Sequence, residues 1–314
     1  MATKQSSAPS FFNFLKEGVL LPTRNRSLFA VVFALIVAST SVLLLGNDLA
    51  VQPLADEVSL DVKALNSTDP SSLDYARLLQ EIQDDTRHLL FTGAAYLLFA
   101  VIVGSAIRIV ILFAAVLTYS GELHTFGSLL DKAKTQLKGP VLTLAFVYAL
   151  EIAYVALLAA LAALFVFLIF NQYFVLLLVE SLLLLVAFIF LVYFSFLCSL
   201  SVVVAVAQPG CHGAGAVGRA WRLVKDKKRR ALLFLAVTGV LTAAVSPVHA
   251  LAKSCAISSM ASGLLLGFLY TILMAAVELF SVCAMTAFYF ECKGSTEASA
   301  TEYAKLSTQE QINA

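Results

Sequence analysis

Six long apolar runs, nearly free of charge, decide what this chain can fold into. A helix needs roughly 20 such residues to cross about 30 Å of hydrocarbon. Backbone inside a bilayer must satisfy its own hydrogen bonds, which leaves helices or closed barrels. The runs fall at 27–45, 89–119, 140–170, 173–207, 231–251 and 262–290. The predicted fold class is therefore all-α: a polytopic transmembrane helical bundle of about six spans in three hairpins. Residues 27–292 form the membrane domain, residues 1–26 a cytosolic N-terminal segment with an amphipathic helix, and residues 293–314 a disordered cytosolic tail. Several runs exceed the minimum, which predicts tilt or protrusion into the headgroups. Asn171 and Gln172 alone separate the third and fourth runs and read as a tight turn. The first run is longer than the apolar core of a cleaved signal, so it reads as a retained span. Composition agrees, at 60% hydrophobic and 13% charged, against about a quarter charged in soluble domains.

Basic residues orient the spans, because Lys and Arg concentrate in cytosolic loops. Lys4, Lys16, Arg24 and Arg26 precede the first span. Lys132, Lys134 and Lys138 lie between the second and third. Arg219, Arg222, Lys225, Lys227, Lys228, Arg229 and Arg230 lie between the fourth and fifth. By parity these three segments share one side, so both termini are expected in the cytosol. The outer loop 46–88 instead holds nine acidic and three basic residues.

The chain also repeats itself three times. Phe11, Phe12, Phe14 and Leu15 with Lys16 and Glu17 precede Arg24, Arg26 and a span. Phe126, Leu129, Leu130, Asp131 and Lys132 precede Lys138 and a span. Val217, Ala220, Trp221, Leu223, Val224 and Lys225 precede Arg229, Arg230 and a span. Each unit reads as a short amphipathic helix on the cytosolic membrane surface, a basic junction, an outgoing span and a returning span. Its apolar stripe would sink into the interface and its cations would meet anionic lipid. Pro22 and Pro140, each near a junction, would interrupt a continuous helix.

In the outer loop, Asn66-Ser67-Thr68 is a glycosylation sequon. Ser71 or Ser72 is placed to cap a surface helix leading into the second span. In the tail, Tyr303 and Leu306 form the Tyr-x-x-apolar pattern read by vesicle-coat adaptors. Cys292, at a membrane edge, is a candidate for acylation. The five cysteines show no paired spacing, so neither a disulfide framework nor a zinc site is expected.

Ionisable residues within spans are costly and are functional candidates by default. They are Arg108, Glu151, Glu180, His249 and Glu278. At 1.5 Å per residue, Arg108, Glu151 and Glu278 fall about 16–18 Å from the inner edge, near the midplane. Glu180 and His249 fall toward the outer ends. One reading is a packing cluster, with Arg108 neutralising Glu151 or Glu278, and Glu180 hydrogen-bonded or paired with His249. The other is a polar path or pocket for an ion, proton or small solute. Gly239 and Pro247 make the fifth span the candidate for a broken helix of the kind transporters use.

No phosphate loop, dinucleotide fingerprint, nucleophile elbow or metalloprotease motif is present, so no enzyme, cofactor or metal site is expected. Nearly balanced charge, 21 basic against 20 acidic residues, gives no reason to expect nucleic acid.

Val202–Val237 carries a likeness. A span leaves through Val-Val-Val-Ala-Val-Ala-Gln-Pro, small residues follow, and then comes Ala-Trp-Arg-Leu-Val-Lys-Asp-Lys-Lys-Arg-Arg before the next span. With Phe126–Leu142, this resembles the uncharacterised six-span integral membrane proteins common in plants, which have distant bacterial relatives of the same layout. The resemblance implies the topology and names no activity. The chain departs from that family in its long acidic outer loop.

The expected function is a non-enzymatic membrane protein of the endoplasmic reticulum, Golgi or plasma membrane that organises membrane or serves traffic. Its expected partners are the bilayer, anionic lipid at the cytosolic face, and proteins that meet its cytosolic helices and tail. The alternative is a transporter or channel using the intramembrane charges.

Overall fold

The computed structural model describes residues 12–312 except 69–71, 122–124, 172, 226 and 259. Helix is the only regular structure among them. Uninterrupted Leu, Ala, Val and Phe favour it, because only a helix satisfies every backbone group within one apolar segment. In chain order the helices are α1 (Asn13–Arg24), α2 (Arg26–Gly46), α3 (Gln52–Ser67), α4 (Leu73–Tyr119), α5 (Phe126–Gln136), α6 (Lys138–Phe170), α7 (Phe174–Ala207), α8 (Ala214–Lys225), α9 (Lys228–Ser258) and α10 (Met260–Ile312). Six of these helical stretches are long and apolar enough to cross a membrane, beginning with α2, α4, α6, α7, α9 and α10. The chain is a multi-pass membrane protein.

The repeat is visible in the element order: short helix α1, α5 or α8, then long helix α2, α6 or α9. The first junction breaks at Asn25, three residues after Pro22, where the backbone leaves the helical region at φ −138° and ψ 71°. At the second, Leu137 alone lies between α5 and α6, and Pro140 sits in the first turn of α6, where its missing N–H matters least. The expected break in the fifth span is not found. α9 runs through Gly239 and Pro247 as one helix, which a bundle allows by satisfying the freed carbonyl elsewhere.

Two other expectations need correction. The segment 46–88 is a pair of helices rather than a loop with one surface helix. A π turn, Asn47–Val51, links α2 to α3. Ser72 caps α4, its hydroxyl accepting from the Tyr75 N–H at 3.3 Å. From there α4 continues without a break for 47 residues, about 70 Å at 1.5 Å per residue. The tail, expected to be disordered, continues α10 to Ile312. Extending an existing helix avoids the nucleation step that short polar segments fail to meet on their own.

The chain divides into two packed units. Unit 1 comprises residues 1–31, 110–247 and 276–314; unit 2 comprises residues 32–109 and 248–275. In unit 1, Phe14 of α1 meets Phe288 of α10 edge-on at 5.6 Å, and Phe288 meets Phe196 of α7 at 5.8 Å. A methyl group at Gly18 would lie 2.7 Å from the Ala284 Cα, so α1 and α10 approach closely there. The loop after α7 is pinned to the start of α6. Gly213, at φ +55°, donates its N–H to the Thr143 hydroxyl at 3.0 Å, and Thr143 donates to the Gly139 carbonyl at 2.9 Å. In unit 2, the Tyr96 hydroxyl of α4 donates to the Leu43 carbonyl of α2 at 2.6 Å, and Lys253 of α9 donates to Gln52 of α3 at 3.3 Å.

Candidate functional site

The intramembrane ionisable residues divide between the units: Glu151, Glu180 and Glu278 belong to unit 1, Arg108 and His249 to unit 2. Arg108 makes no ion pair with a described residue of its own unit. Glu180 is 7% exposed, and its Oε1 has no hydrogen-bond partner among the described residues. The His249 ring meets the Tyr270 ring at 4.8 Å, tilted by 33°, and its Nδ1 likewise has no such partner. Glu278 lies on α10, three residues before Ser281.

Glu151 has the most developed surroundings. It lines a cavity of about 500 Å³ in unit 1 together with Ser195, Ser199 and Ser281. Its carboxylate accepts a hydrogen bond from the Ser195 hydroxyl at 3.3 Å. Phe188, Phe196, Phe234 and Met285 contribute apolar walls. One carboxylate and three hydroxyls inside an apolar shell can receive a proton, a cation or a hydroxylated amphiphile. The serines were legible but overlooked. Ser195 and Ser199 are one helical turn apart, and Ser195 stands about 12 residues from Ala207, the depth at which Glu151 stands from Pro140. Among the described residues no group of three or more His, Cys, Asp or Glu could hold a metal ion.

The basic segment has two different faces. α8 fully buries Ala216, Ala220 and Val224, an i, i+4, i+8 stripe. Arg219, Arg222 and Lys225 are exposed, as are Lys228 and Arg229 at the start of α9. Trp221 is 48% exposed and meets the Tyr193 ring edge-on at 6.3 Å. Arg230, expected at the lipid surface, is instead turned inward. Its guanidinium donates to Glu291 Oε2 at 3.1 Å, with side-chain exposures of 19% and 13%. Asn13 donates to the other oxygen of Glu291 at 2.9 Å. Lys227 is half-buried and donates to the Ser295 hydroxyl. Glu291 thus ties α1 and α9 to α10, a role the sequence hinted at only by placing an acid at the end of the last apolar run.

The remaining sequence candidates are dispersed. Asn66 is exposed in the last turn of α3, where the Ser67 and Thr68 hydroxyls both donate to the Ala64 carbonyl at 2.8 Å. Tyr303 and Leu306 lie on the final turns of α10, with side chains outside the described residues. Lys4 and Phe11 also fall outside them. Cys292 is 1% exposed, which withholds its thiol from acylation.

A family model, Domain of unknown function (DUF8558), matches residues 4–308. The match covers nearly the whole chain, so the chain belongs to this family. No curated protein and no solved structure matches it.

Proposed function

We propose that this member of the DUF8558 family is a non-enzymatic protein of the endomembrane system or plasma membrane, with both termini cytosolic, that gathers anionic lipid at its cytosolic face. The observation that carries the reading is the two-faced α8. Its small-residue stripe is covered by protein, while Arg219, Arg222, Lys225 and Trp221 point away from that stripe. A helix held in this way presents cations at headgroup level and a tryptophan suited to the membrane–water interface. α1 and α5 take equivalent places in the other two repeats. Their buried residues, Phe14, Gly18 and Leu21 on α1 and Leu129 and Ala133 on α5, are likewise covered by protein. The surface helices are therefore docked onto the bundle, which sets the height and direction of the cationic face.

The test is retention of lipid by purified protein extracted from bilayers with and without phosphatidylserine. Each Lys or Arg near an anionic surface contributes about 1 kcal/mol. Neutralising Arg219, Arg222 and Lys225 to Gln should weaken anionic-lipid retention about a hundredfold, and salt should weaken it in the wild type. Unchanged retention in the triple variant would end the proposal.

The cavity around Glu151 motivates a second reading, transport of a proton or small cation. Flux in proteoliposomes that is lost on Glu151→Gln would favour it. Absence of flux from folded protein would leave Glu151 as a packing group bonded to Ser195.

A further inference from the structure

Unit 2 holds a cavity of its own, about 550 Å³, formed by the end of α2, the π turn, α9 and the start of α10. We propose that this cavity is a binding site for a phospholipid with a primary-ammonium headgroup, of the phosphatidylethanolamine type. The proposal stands independently of the α8 reading, which concerns residues of unit 1.

The lining has two chemistries. Leu44, Leu45, Leu264 and Phe268 supply an apolar wall, and Asp48, His249 and Lys253 supply charge or hydrogen-bonding capacity. Leu45, Leu264 and Phe268 are more than half exposed on the protein surface, so the apolar wall is open to an acyl chain. A soluble solute would leave that wall unused, whereas an amphiphile uses both parts. The volume lies within the range of small-molecule sites. It suffices for a headgroup and the first part of one chain, with the remainder in the bilayer.

The polar groups select the headgroup. Lys253 has three ammonium donors, and Gln52 takes one of them at 3.3 Å. The His249 ring meets the Tyr270 ring at 4.8 Å, tilted by 33°, and its buried Nδ1 has no hydrogen-bond partner among the described residues. Leaving such an atom unsatisfied is costly, and a phosphate oxygen would relieve it when that nitrogen carries the proton. Lys253 and His249 together therefore suit a phosphodiester. Asp48 is of opposite sign. Its carboxylate accepts one long bond, 3.4 Å, from the Asn47 side chain. An acid beside a phosphate site favours a zwitterionic headgroup over a purely anionic one. A carboxylate receives charge-assisted hydrogen bonds from –NH3+ and none from a trimethylammonium group. The quaternary group is recognised by aromatic cages, and Phe268 is the aromatic side chain in this lining. The chemistry thus favours ethanolamine over choline.

Asp48 owes its position to the π turn Asn47–Val51. A π turn inserts an extra residue into the helical register and recurs at functional sites. It places Asp48 and Leu49 in the cavity lining while α2 passes on into α3.

The experiment uses the full chain in mild detergent, with native mass spectrometry to read lipid adducts. The probes are synthetic phosphatidylethanolamine, phosphatidylcholine and phosphatidylglycerol with identical chains. Wild-type protein should retain the ethanolamine lipid about tenfold better than the choline lipid, a difference the size of one charge-assisted hydrogen bond. Asp48→Asn should abolish that preference. Lys253→Gln combined with His249→Gln should weaken retention of both zwitterionic lipids. Asn66→Gln, exposed on α3 and outside the cavity lining, should change nothing. Equal retention of the ethanolamine and choline lipids by the wild type would overturn the proposal without any variant having to fold. So would stronger retention of phosphatidylglycerol at this site, or a preference that survives Asp48→Asn.

Discussion

In unit 1, Phe14, Phe113, Phe288 and Tyr289 are enclosed by protein; in unit 2, Leu97, Leu98, Leu264 and Leu265 stand more than 60% exposed. Both units are built from the same apolar residues. Yet among the largest fully buried side chains, Val32 and Ile36 are the two that belong to unit 2. Unit 1 is held by interlocked aromatics, close backbone approach at Gly18, and the Glu291 clasp. Unit 2 is held by a few hydrogen bonds from one helix to the next, and both units leave apolar surface for lipid to cover, unit 1 along α6 and α7, where Phe170, Phe174 and Val175 are more than 75% exposed. Burial against lipid brings no hydrophobic gain over burial against protein. The enclosed cluster around Phe288 in unit 1 should therefore depend little on the composition of its surroundings, and the exposed leucines of unit 2 should depend on it.

The sharpest challenge to this contrast is Phe288→Ala. Phe288 is fully buried between Phe14 and Phe196, so truncation should cost about 3–5 kcal/mol and lower the melting temperature equally in every lipid. Next is Glu291→Gln. It removes the charge that the Arg230 guanidinium meets at 3.1 Å and should cost about 1–3 kcal/mol, read as a lower melting midpoint in any lipid. The smallest effect belongs to Leu265→Ala in unit 2. Leu265 is 71% exposed, so the loss should stay within about 0.5 kcal/mol, measured by thermal denaturation in nanodiscs. A loss there as large as that of Phe288→Ala would erase the distinction between the units.

The sequence showed what is local and missed what is distant. The runs 140–170 and 173–207 match α6 (Lys138–Phe170) and α7 (Phe174–Ala207) to within two residues, because uncharged length alone decides where a span lies. The threefold short-helix, long-helix order was also legible, since it repeats basic junctions and apolar stripes. The cap at Ser72 followed from its place before an apolar-periodic segment. By contrast, Arg230 and Lys227 looked the same as Arg229 and Lys228. Their partners on α10, Glu291 and Ser295, set them apart, and no local pattern encodes a contact 61 or 68 residues away. The Glu151 cavity was half visible: the acid was singled out, while Ser195 and Ser199 passed for ordinary small residues in a span. α3 went unnoticed because its acidic residues and Pro53 resemble a loop until Pro53 is seen in the first turn of a helix.

The central claim is that α8 lies on the membrane surface with its cationic face against anionic lipid, and the chain carries one tryptophan, Trp221, on that helix. Its fluorescence in liposomes, with quenchers placed at the headgroup level, measures the claim directly. The expected result is strong quenching by shallow brominated lipid that rises with phosphatidylserine content and falls with salt. Emission at the wavelength of tryptophan in water, unmoved by shallow quenchers or by lipid charge, would contradict it.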